Sequence, residues 1–325
     1  MTNTNIVRGD LGVGTGFIPT IFAQTALNYL ANNIVAQKMT TSYKGYSSEY
    51  GRIGETMIIP KYGNLAVNDK AENQNYTLQE VANASSISLT LNKHKEVSFA
   101  VERRAMSEVN QDVLEGYAKQ AAIKLAEQID IDIMTAMYTG ATGATIGTSS
   151  AITEANVQAA KLALTVNKAG EGMKRFAIVS PQQTINLLGI SNFVLWTALG
   201  QPLNLANGSI GSGNGSADYT SRVGRIYQFD VRESQLVPIV GSSPAVSKNL
   251  FFAEDAVLFA SRKMYPVPAG QGVQTVSVSD DASGVTLNLT YWYNALAGAY
   301  QMTLETLYGV VLQRPEHVCL LNGNG

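Results

Sequence analysis

Apolar residues recur along this chain with two different periods, and the changes of period divide it into segments. Between Phe17 and Met39, the residues Phe17, Ile21, Ala23, Leu27, Leu30, Ile34 and Val35 fall close to a 3.6-residue repeat, with Pro19 tolerated in a first turn. That predicts one helix in an N-terminal arm. From 48 to 101 the period shortens: Thr56–Ile59 makes a short strand ended by Pro60, and Ile87, Leu89 and Leu91 alternate with polar neighbours in a second. More than twenty mostly polar residues, Lys61 to Ala84, run between them, a connection uncommonly long for a compact domain. Two strands with a polar tip bury little by themselves, so the pattern predicts either a surface loop or an arm ordered by a neighbouring subunit.

The strongest periodic signal runs from Asn110 to Tyr138. Val113, Tyr117, Ala121, Leu125, Ile129, Ile133 and Met137 stand four apart without a break, and Val109, Ile131 and Met134 widen the apolar face. A helix of that length is roughly 43 Å long and needs a partner surface. Ser107 or Asn110 is its expected N-cap and Gly140 its end. Beyond it, helices and strands alternate. Thr153 is placed to cap a helix to about Lys168, Arg175–Ser180 reads as a short buried strand, and Pro181 opens a helix through Leu188. Residues 200–222, with GSIGSGNGS, read as loop. Strands are expected in Gly224–Ser234 and Leu250–Ala260, then over Val285–Tyr293, then in a last strand carrying Leu304, Thr306, Tyr308, Val310 and Leu312 and closed by Pro315. The class is mixed α+β.

Composition changes this picture in one respect. The chain has 325 residues and 34.8 kDa, enough for one large domain or two. Charged residues make up only 15% of it, with 23 Lys+Arg against 25 Asp+Glu and a net charge of −2, where a soluble domain carries about 25%. Neutral polar residues and 29 glycines replace the missing charge, so the surface favours self-association over repulsion. No window approaches 18 consecutive apolar residues, so no helical membrane span is expected. The start, MTNTNIVRGDLGVGTGFIPT, lacks the basic and apolar regions of a secretory signal. A single cysteine, Cys319, leaves no internal disulfide and no Cys-rich zinc site. The slightly acidic balance argues against sequence-reading nucleic-acid binding and leaves weak phosphate contact open.

Candidate chemistry is sparse. Gly12, Gly14 and Gly16 follow no strand and miss the dinucleotide spacing, Gly211–Ser216 reads as a flexible linker, and no GK[ST] occurs. His94 stands among Lys93, Lys95 and Glu96, where an exposed cross-strand neighbour is the expected role. His317 and Cys319 are two apart on a strand-like tail, but no oxyanion loop or orienting residue accompanies a Cys–His dyad. Asp130 and Asp132 fall on different helix faces, and Asp280–Asp281 belongs to a turn before Gly284. No catalytic residue, cofactor or metal is expected, and no enzyme reading stands out.

The order of parts is more informative than any motif. The chain resembles the major capsid proteins of tailed phages, with the Hong Kong 97 type fold. FIPTIFAQTALNYLANNIVAQKM looks like the arm of short-tailed-phage coat proteins, and GRIGETMIIPKYG like the start of their extended loop. ERRAMSEVNQDVLEGYAKQAAIKLAEQIDIDIM is similar to the spine helix. VGRIYQFDVRES with LFFAEDAVLFASRKM resembles a recurring apical run, and YQMTLETLYGVVLQRPEHVCLL the closing strand and tail.

The resemblance implies an arm at 1–48, an extended loop at 49–95, a peripheral domain with the spine helix at 96–150, an apical domain at 151–271 and return strands of the peripheral domain at 272–325. It implies a structural protein that assembles as pentamers and hexamers into an icosahedral shell around double-stranded phage DNA, located in the virion and put together in the bacterial host cytoplasm. Its partners would be copies of itself, a portal, a decoration protein and the packaged DNA by weak non-specific contact, with no membrane involved. Some members begin with a cleaved scaffolding segment; here the arm begins almost at Met1, so a separate scaffolding protein is expected. Some crosslink a loop lysine to a neighbour's asparagine; Lys61 and Lys70 match by position only. Arg52, Lys61, Asp69, Lys70, Glu72 and Glu80 are the candidate intersubunit contacts, and Arg8, Lys38 and Lys44 the candidate DNA-facing residues of the arm. An encapsulin-type bacterial nanocompartment shell around a cargo enzyme shares the fold and is the nearest alternative. A soluble α/β enzyme is the third.

Overall fold

The computed structural model describes residues 19–43, 56–61, 66–78, 85–102, 111–169, 172–190, 222–242, 244–265, 267, 272–280 and 283–324. Phe17, Ser107, Asn110 and most of the Gly/Ser-rich stretch 200–222 lie outside them.

The expected long helix is present as α2, Gln111–Gly140. Ala121, Leu125, Ile129, Ile133 and Met137 are buried, but Tyr117 is 56% exposed. A side chain repeating every four residues advances about 40° per step around a 3.6-residue helix, so one face cannot hold the whole ladder. The buried stripe instead recruits Ala118, Ala122, Ala126 and Met134, and Ile131, expected to widen the face, is turned partly outward. Helix α1, Pro19–Asn33, lies against α2 with Ala23, Ala26, Leu27 and Leu30 in the shared core. Alanines on both helices let the axes approach closely.

Helix α1 ends at Asn33 rather than near Met39, for an electrostatic reason. The Asp130 carboxylate on α2 accepts the backbone N–H groups of Val35 at 2.7 Å, Ala36 at 3.0 Å and Gln37 at 3.3 Å. These donors turn to a carboxylate instead of to carbonyls one helical turn back, and the chain continues as a 3-10 turn at Gln37–Met39.

The helices cover one face of a six-stranded sheet. Its order is β1 (Thr41–Ser42), β11 (Val257–Arg262), β14 (Ala299–Leu312), β13 (Val285–Asn294) and β12 (Val273–Asp280), with β4 (Lys93–Glu102) also paired to β14. Period-two alternation sends Val285, Leu287, Leu289 and Tyr291 of β13 and Met302, Leu304 and Tyr308 of β14 into the core with the helices. The reverse face carries buried Thr286, Asn288 and Thr303. The Thr286 hydroxyl, Asn288 Oδ1 and the Thr303 hydroxyl are met there by Ser261 at 3.1 Å, Ser277 at 2.7 Å and Ser98 at 2.9 Å. Strand β12 was not expected from its sequence; its apolar positions are only half-buried, so its alternation is weak.

A seven-stranded sheet forms the second half. It contains β5 (Thr145–Ile146), β15 (Val318–Asn324), β10 (Val246–Ala253), β6 (Arg175–Val179), β8 (Phe229–Glu233) and β7 (Arg222–Ile226) in that order, with β9 (Ile239–Val240) beside β10. One face, with Phe176, Ile178, Leu250, Phe252, Val318 and Leu320, joins the first core. The other, with Ala177, Val179, Phe251, Ala253, Cys319 and Leu321, packs under helices α3 (Glu154–Val166) and α4 (Pro181–Leu188). Burial on both faces explains the continuous apolar runs of β6 and β10. Thr153 stands at the N-cap of α3 as expected, although its hydroxyl makes no capping bond.

Sheet membership cuts across the segments read along the chain. Leu250–Ala260 is two strands in different sheets, separated by a 3-10 turn at Glu254–Ala256 that redirects the backbone. The strand ending at Leu312 is not the last: Pro315 opens a 3-10 turn, and β15 then pairs with β10 and β5 of the second sheet. Thus β11 lies with the first sheet although it falls within 151–271, while β5 and β15 lie with the second although they fall within 96–150 and 272–325.

Burial raises the Asp130 carboxyl to about 7, against the opposing pull of the three N–H groups and Lys38. The folded chain therefore retains a proton that the unfolded chain, with a carboxyl near 3.8, has lost. The stability this contributes is complete below about pH 4 and is lost as pH rises toward 7. Asp130→Asn should cost about 1–2 kcal/mol at pH 5, because its amide faces the Val35 N–H. In thermal denaturation, the gap between wild type and this variant should narrow from pH 4 to pH 7; a widening gap would contradict the assignment.

Candidate interaction surfaces

The expected two-stranded excursion is a hairpin of β2 (Thr56–Lys61) and β3 (Ser85–Thr90), antiparallel with Met57 opposite Leu89 and Ile59 opposite Ile87. Alternation places these four apolar residues on one face, while Ile58 and Ser88 lie on the other and are exposed. The base is seated on the reverse face of the six-stranded sheet. Leu89, Leu91 and Ala260 form a small core with Met57, Ile59, Tyr43 and Val311 packed around it. Gly309 makes the seat possible: a Cβ there would lie 2.2 Å from the Thr90 carbonyl oxygen. A glycine inside an apolar strand is the sequence signal for such an approach of two backbones.

Beyond the seat, residues 66–78 are exposed along their whole length. Val67 is 97% exposed and Leu78 92%, and Tyr76 is also exposed. The backbone reverses at Ala71–Gln74, with Asn73 in the left-handed region at φ 66°. The Lys70 ammonium lies 3.9 Å from the centre of the Tyr76 ring, a cation–π contact that pins the two limbs together. Asp69 and Glu72 lie on the same exposed stretch and make no ion pair among the described residues. Lys61 ends β2, while Arg52 and Glu80 lie outside the described residues. Of the arm residues, Lys38 is exposed on the 3-10 turn after α1; Arg8 and Lys44 lie outside the described residues. The structure thus brings Asp69, Lys70 and Glu72 together on one tip and leaves Lys38 separate from them.

Other uncovered apolar side chains stand on different parts of the subunit. On α3, Ala155, Ala159, Leu162 and Val166 recur at helical spacing on an exposed face. Ile185 and Leu188 stand one turn apart on α4, Ile239 and Val240 on β9, and Tyr293 and Leu296 at the turn joining β13 to β14. Sequence periodicity did not single these out, because a helix buried on both sides and one with an unpartnered apolar face share the same pattern.

Among the described residues the candidate chemical groups stand apart from one another. His94 meets Glu305 across the strands at 3.1 Å in partly exposed surroundings. Cys319 faces the core under α3, where burial pushes its thiol up, and both ring nitrogens of His317 are engaged elsewhere, so the two do not form a dyad. Asp130 holds the arm; Asp132, on another face of α2, accepts the Tyr308 hydroxyl at 2.7 Å and the Lys93 ammonium at 3.2 Å. Among the described residues no cluster of three His, Cys, Asp or Glu is placed to hold a metal ion.

No protein-family model and no curated protein sequence matches the chain. Solved structures do. A chain from Mycobacterium phage Che8 is 17% identical with a TM-score of 0.59, over 89% of this chain and 90% of that one. The capsid of Ralstonia phage GP4 is 12% identical with a TM-score of 0.58, over 90% and 88%. A virus-like particle from Pyrococcus furiosus is 11% identical with a TM-score of 0.50, over 93% and 98%. At such identities the likeness is one of fold, and the fold is the Hong Kong 97 capsid type.

Gly309→Ala should destabilise the chain by about 1–3 kcal/mol, since the clash is with backbone. It should also expose the base of the hairpin to limited proteolysis. Val67→Ser and Leu78→Ser should stay within about 0.5 kcal/mol of wild type, as surface changes do. Equal melting temperatures for all three would remove Gly309 from the seat.

Proposed function

We propose that this chain is the major capsid protein of a tailed bacteriophage, assembling as pentamers and hexamers into an icosahedral shell around double-stranded DNA. The observation that carries the reading is the hairpin tip, whose apolar and charged side chains stand exposed with no partner surface among the described residues, on a fold shared with phage capsids. Ordering such a tip costs conformational entropy that only burial against a neighbour offsets. Sparse charge and apolar side chains on several faces support a subunit with more than one interface, since charge is depleted at interface centres.

In this reading, Arg52, Lys61, Asp69, Lys70, Glu72 and Glu80 pair across subunits. The six-stranded sheet with α1 and α2 is the peripheral unit, and the seven-stranded sheet with α3 and α4 the apical one. Arg8, Lys38 and Lys44 face the interior and touch DNA without reading its sequence. The role is structural rather than catalytic. A separate scaffolding protein, a portal and a decoration protein are its further partners, and assembly takes place in the host cytoplasm. The likeness to the virus-like particle of Pyrococcus furiosus keeps a second reading in view, a shell around a cargo protein. Nucleic acid inside purified particles favours the first, and a co-purifying enzyme the second.

Electron microscopy of the expressed chain, alone and with its scaffolding partner, should show rings of subunits or closed shells. A species that stays monomeric under all assembly conditions would sink the reading. Reversing three tip charges together, by Asp69→Lys, Lys70→Glu and Glu72→Lys, should leave the melting temperature of the free subunit unchanged and abolish particles. Undiminished particle yield would remove the tip from the interface.

A further inference from the structure

The two sheets are joined by three stretches of chain, and all three meet at one neck. The first runs from α2 to β5 through Ala141–Ala144, the second from β10 to β11 through Glu254–Ala256, and the third from β14 to β15 through Gln313–His317. Backbone bonds tie them side by side. Thr142 N–H donates to the Pro315 carbonyl at 3.0 Å, Gln313 and Arg314 N–H to that of Ala256 at 2.9 and 3.2 Å, and Leu320 N–H to that of Ala144 at 2.9 Å. The packing is tight enough that a Cβ at Gly143 would lie 2.1 Å from the Val318 carbonyl oxygen.

His317 sits inside this neck at 1% exposure. Its Nδ1 is 2.9 and 3.1 Å from the two carboxylate oxygens of Asp255, on the second crossing. Its Nε2 is 3.2 Å from the carbonyl oxygen of Asn167, the last residue of α3's C-terminal cap. Both partners only accept. A neutral imidazole has one N–H and can serve only one of them, so only the imidazolium completes both contacts. The carbonyl end of α3 favours the same charge. Arg314 Nε is 3.2 Å from Asp255 Oδ2, so Asp255 keeps a cation even when the imidazole is neutral. Of the charged groups nearby in the chain, Glu254 beside Asp255 pairs with Lys174 at 3.9 Å, Glu316 precedes the histidine, Lys168 follows Asn167, and Arg175 Nη2 donates to the Ala169 carbonyl at 2.7 Å. The tie made or lost with the proton is therefore the imidazole's own bond to the end of α3, beside which Asn167 Nδ2 donates to the Glu316 carbonyl at 2.8 Å whatever the charge of the ring.

We propose that His317 is a proton-operated clamp on the neck. Charged, it ties the second crossing to α3 and holds the two sheets at one angle. Neutral, it gives up one tie, and the neck is held by its three chain crossings, their backbone bonds, the Arg314–Asp255 pair and the Asn167–Glu316 bond, which leaves the joint looser. This rests on the shell reading for its use, because a subunit placed in both pentamers and hexamers has to adopt more than one curvature.

The clamp is tested on the unassembled full chain. With only two histidines, His94 and His317, each ring is followed separately by NMR. As His317 loses its proton, exchange of the Thr142, Gln313, Arg314 and Leu320 amides, corrected for intrinsic rates, should speed up about tenfold, the scale of one charge-assisted hydrogen bond. The Asp130 carboxyl, at about 7, titrates as well, and its effect is read at the Val35–Gln37 amides instead. His317→Gln, which carries no titratable group, should exchange fast at the neck at both pH 5 and pH 8. Neck exchange in wild type that does not follow the His317 titration overturns the clamp, even if the variant fails to fold. So does an unchanged pH response in folded His317→Gln. Absence of shells with a working clamp would sink the shell reading alone, and shells with a pH-independent neck would sink the clamp alone.

Discussion

Strand β14 is hydrogen-bonded to β13 along Ala299–Glu305, to β4 along Ala299–Tyr308 and to β11 along Leu307–Leu312. The hairpin seat, the setting of α2 and the entry to the neck depend on it. Tyr308 reaches across the core to Asp132 and sets the sheet against α2, with burial and the carboxylate together holding its phenol in the neutral form. Gly309 gives the hairpin its seat, and Leu312 leads directly into the neck. A single residue of slippage would invert every side chain of β14 between the two faces, so the register of this strand sets the positions of hairpin, helix and neck together.

The charge-poor composition acquires a physical meaning once the exposed apolar residues are located. They do not form one patch. Val67, Tyr76 and Leu78 are on the hairpin, Leu162 and Val166 on α3, Ile185 and Leu188 on α4, and Leu296 on the β13–β14 turn. A monomer with one binding site concentrates its apolar surface. A subunit enclosed by neighbours distributes it. The charges that remain have particular tasks: Lys70 on Tyr76, Asp130 on the arm backbone, and Asp255 between Arg314 and His317.

Local periodicity made the long helix, the hairpin, the buried strand β6 and the strands β13 and β14 legible, because in each the burial pattern repeats within a few residues. It failed where a distant residue decides. The end of α1 is set by Asp130, 95 positions away from Val35. The division of Leu250–Ala260 between two sheets has no local sign, since both halves are equally apolar and both are buried. Strand β15 was legible only as a strand-like tail after Pro315, which redirects the chain into the second sheet instead of ending it. Of the candidate site, the hairpin and the charges on its tip were legible as a polar connection too long to stand alone. Its seat was marked only by Gly309, and the partnership of His317 with Asp255 by nothing.

The sequence by itself determined the class of elements, their order and the likeness to capsid proteins, because helix and strand periods are properties of neighbouring residues. Tertiary structure alone decided which sheet each strand joins, where the arm leaves its helix and which titratable groups meet in the neck. Those outcomes depend on contacts between residues far apart in the chain, whose free energy no local pattern contains.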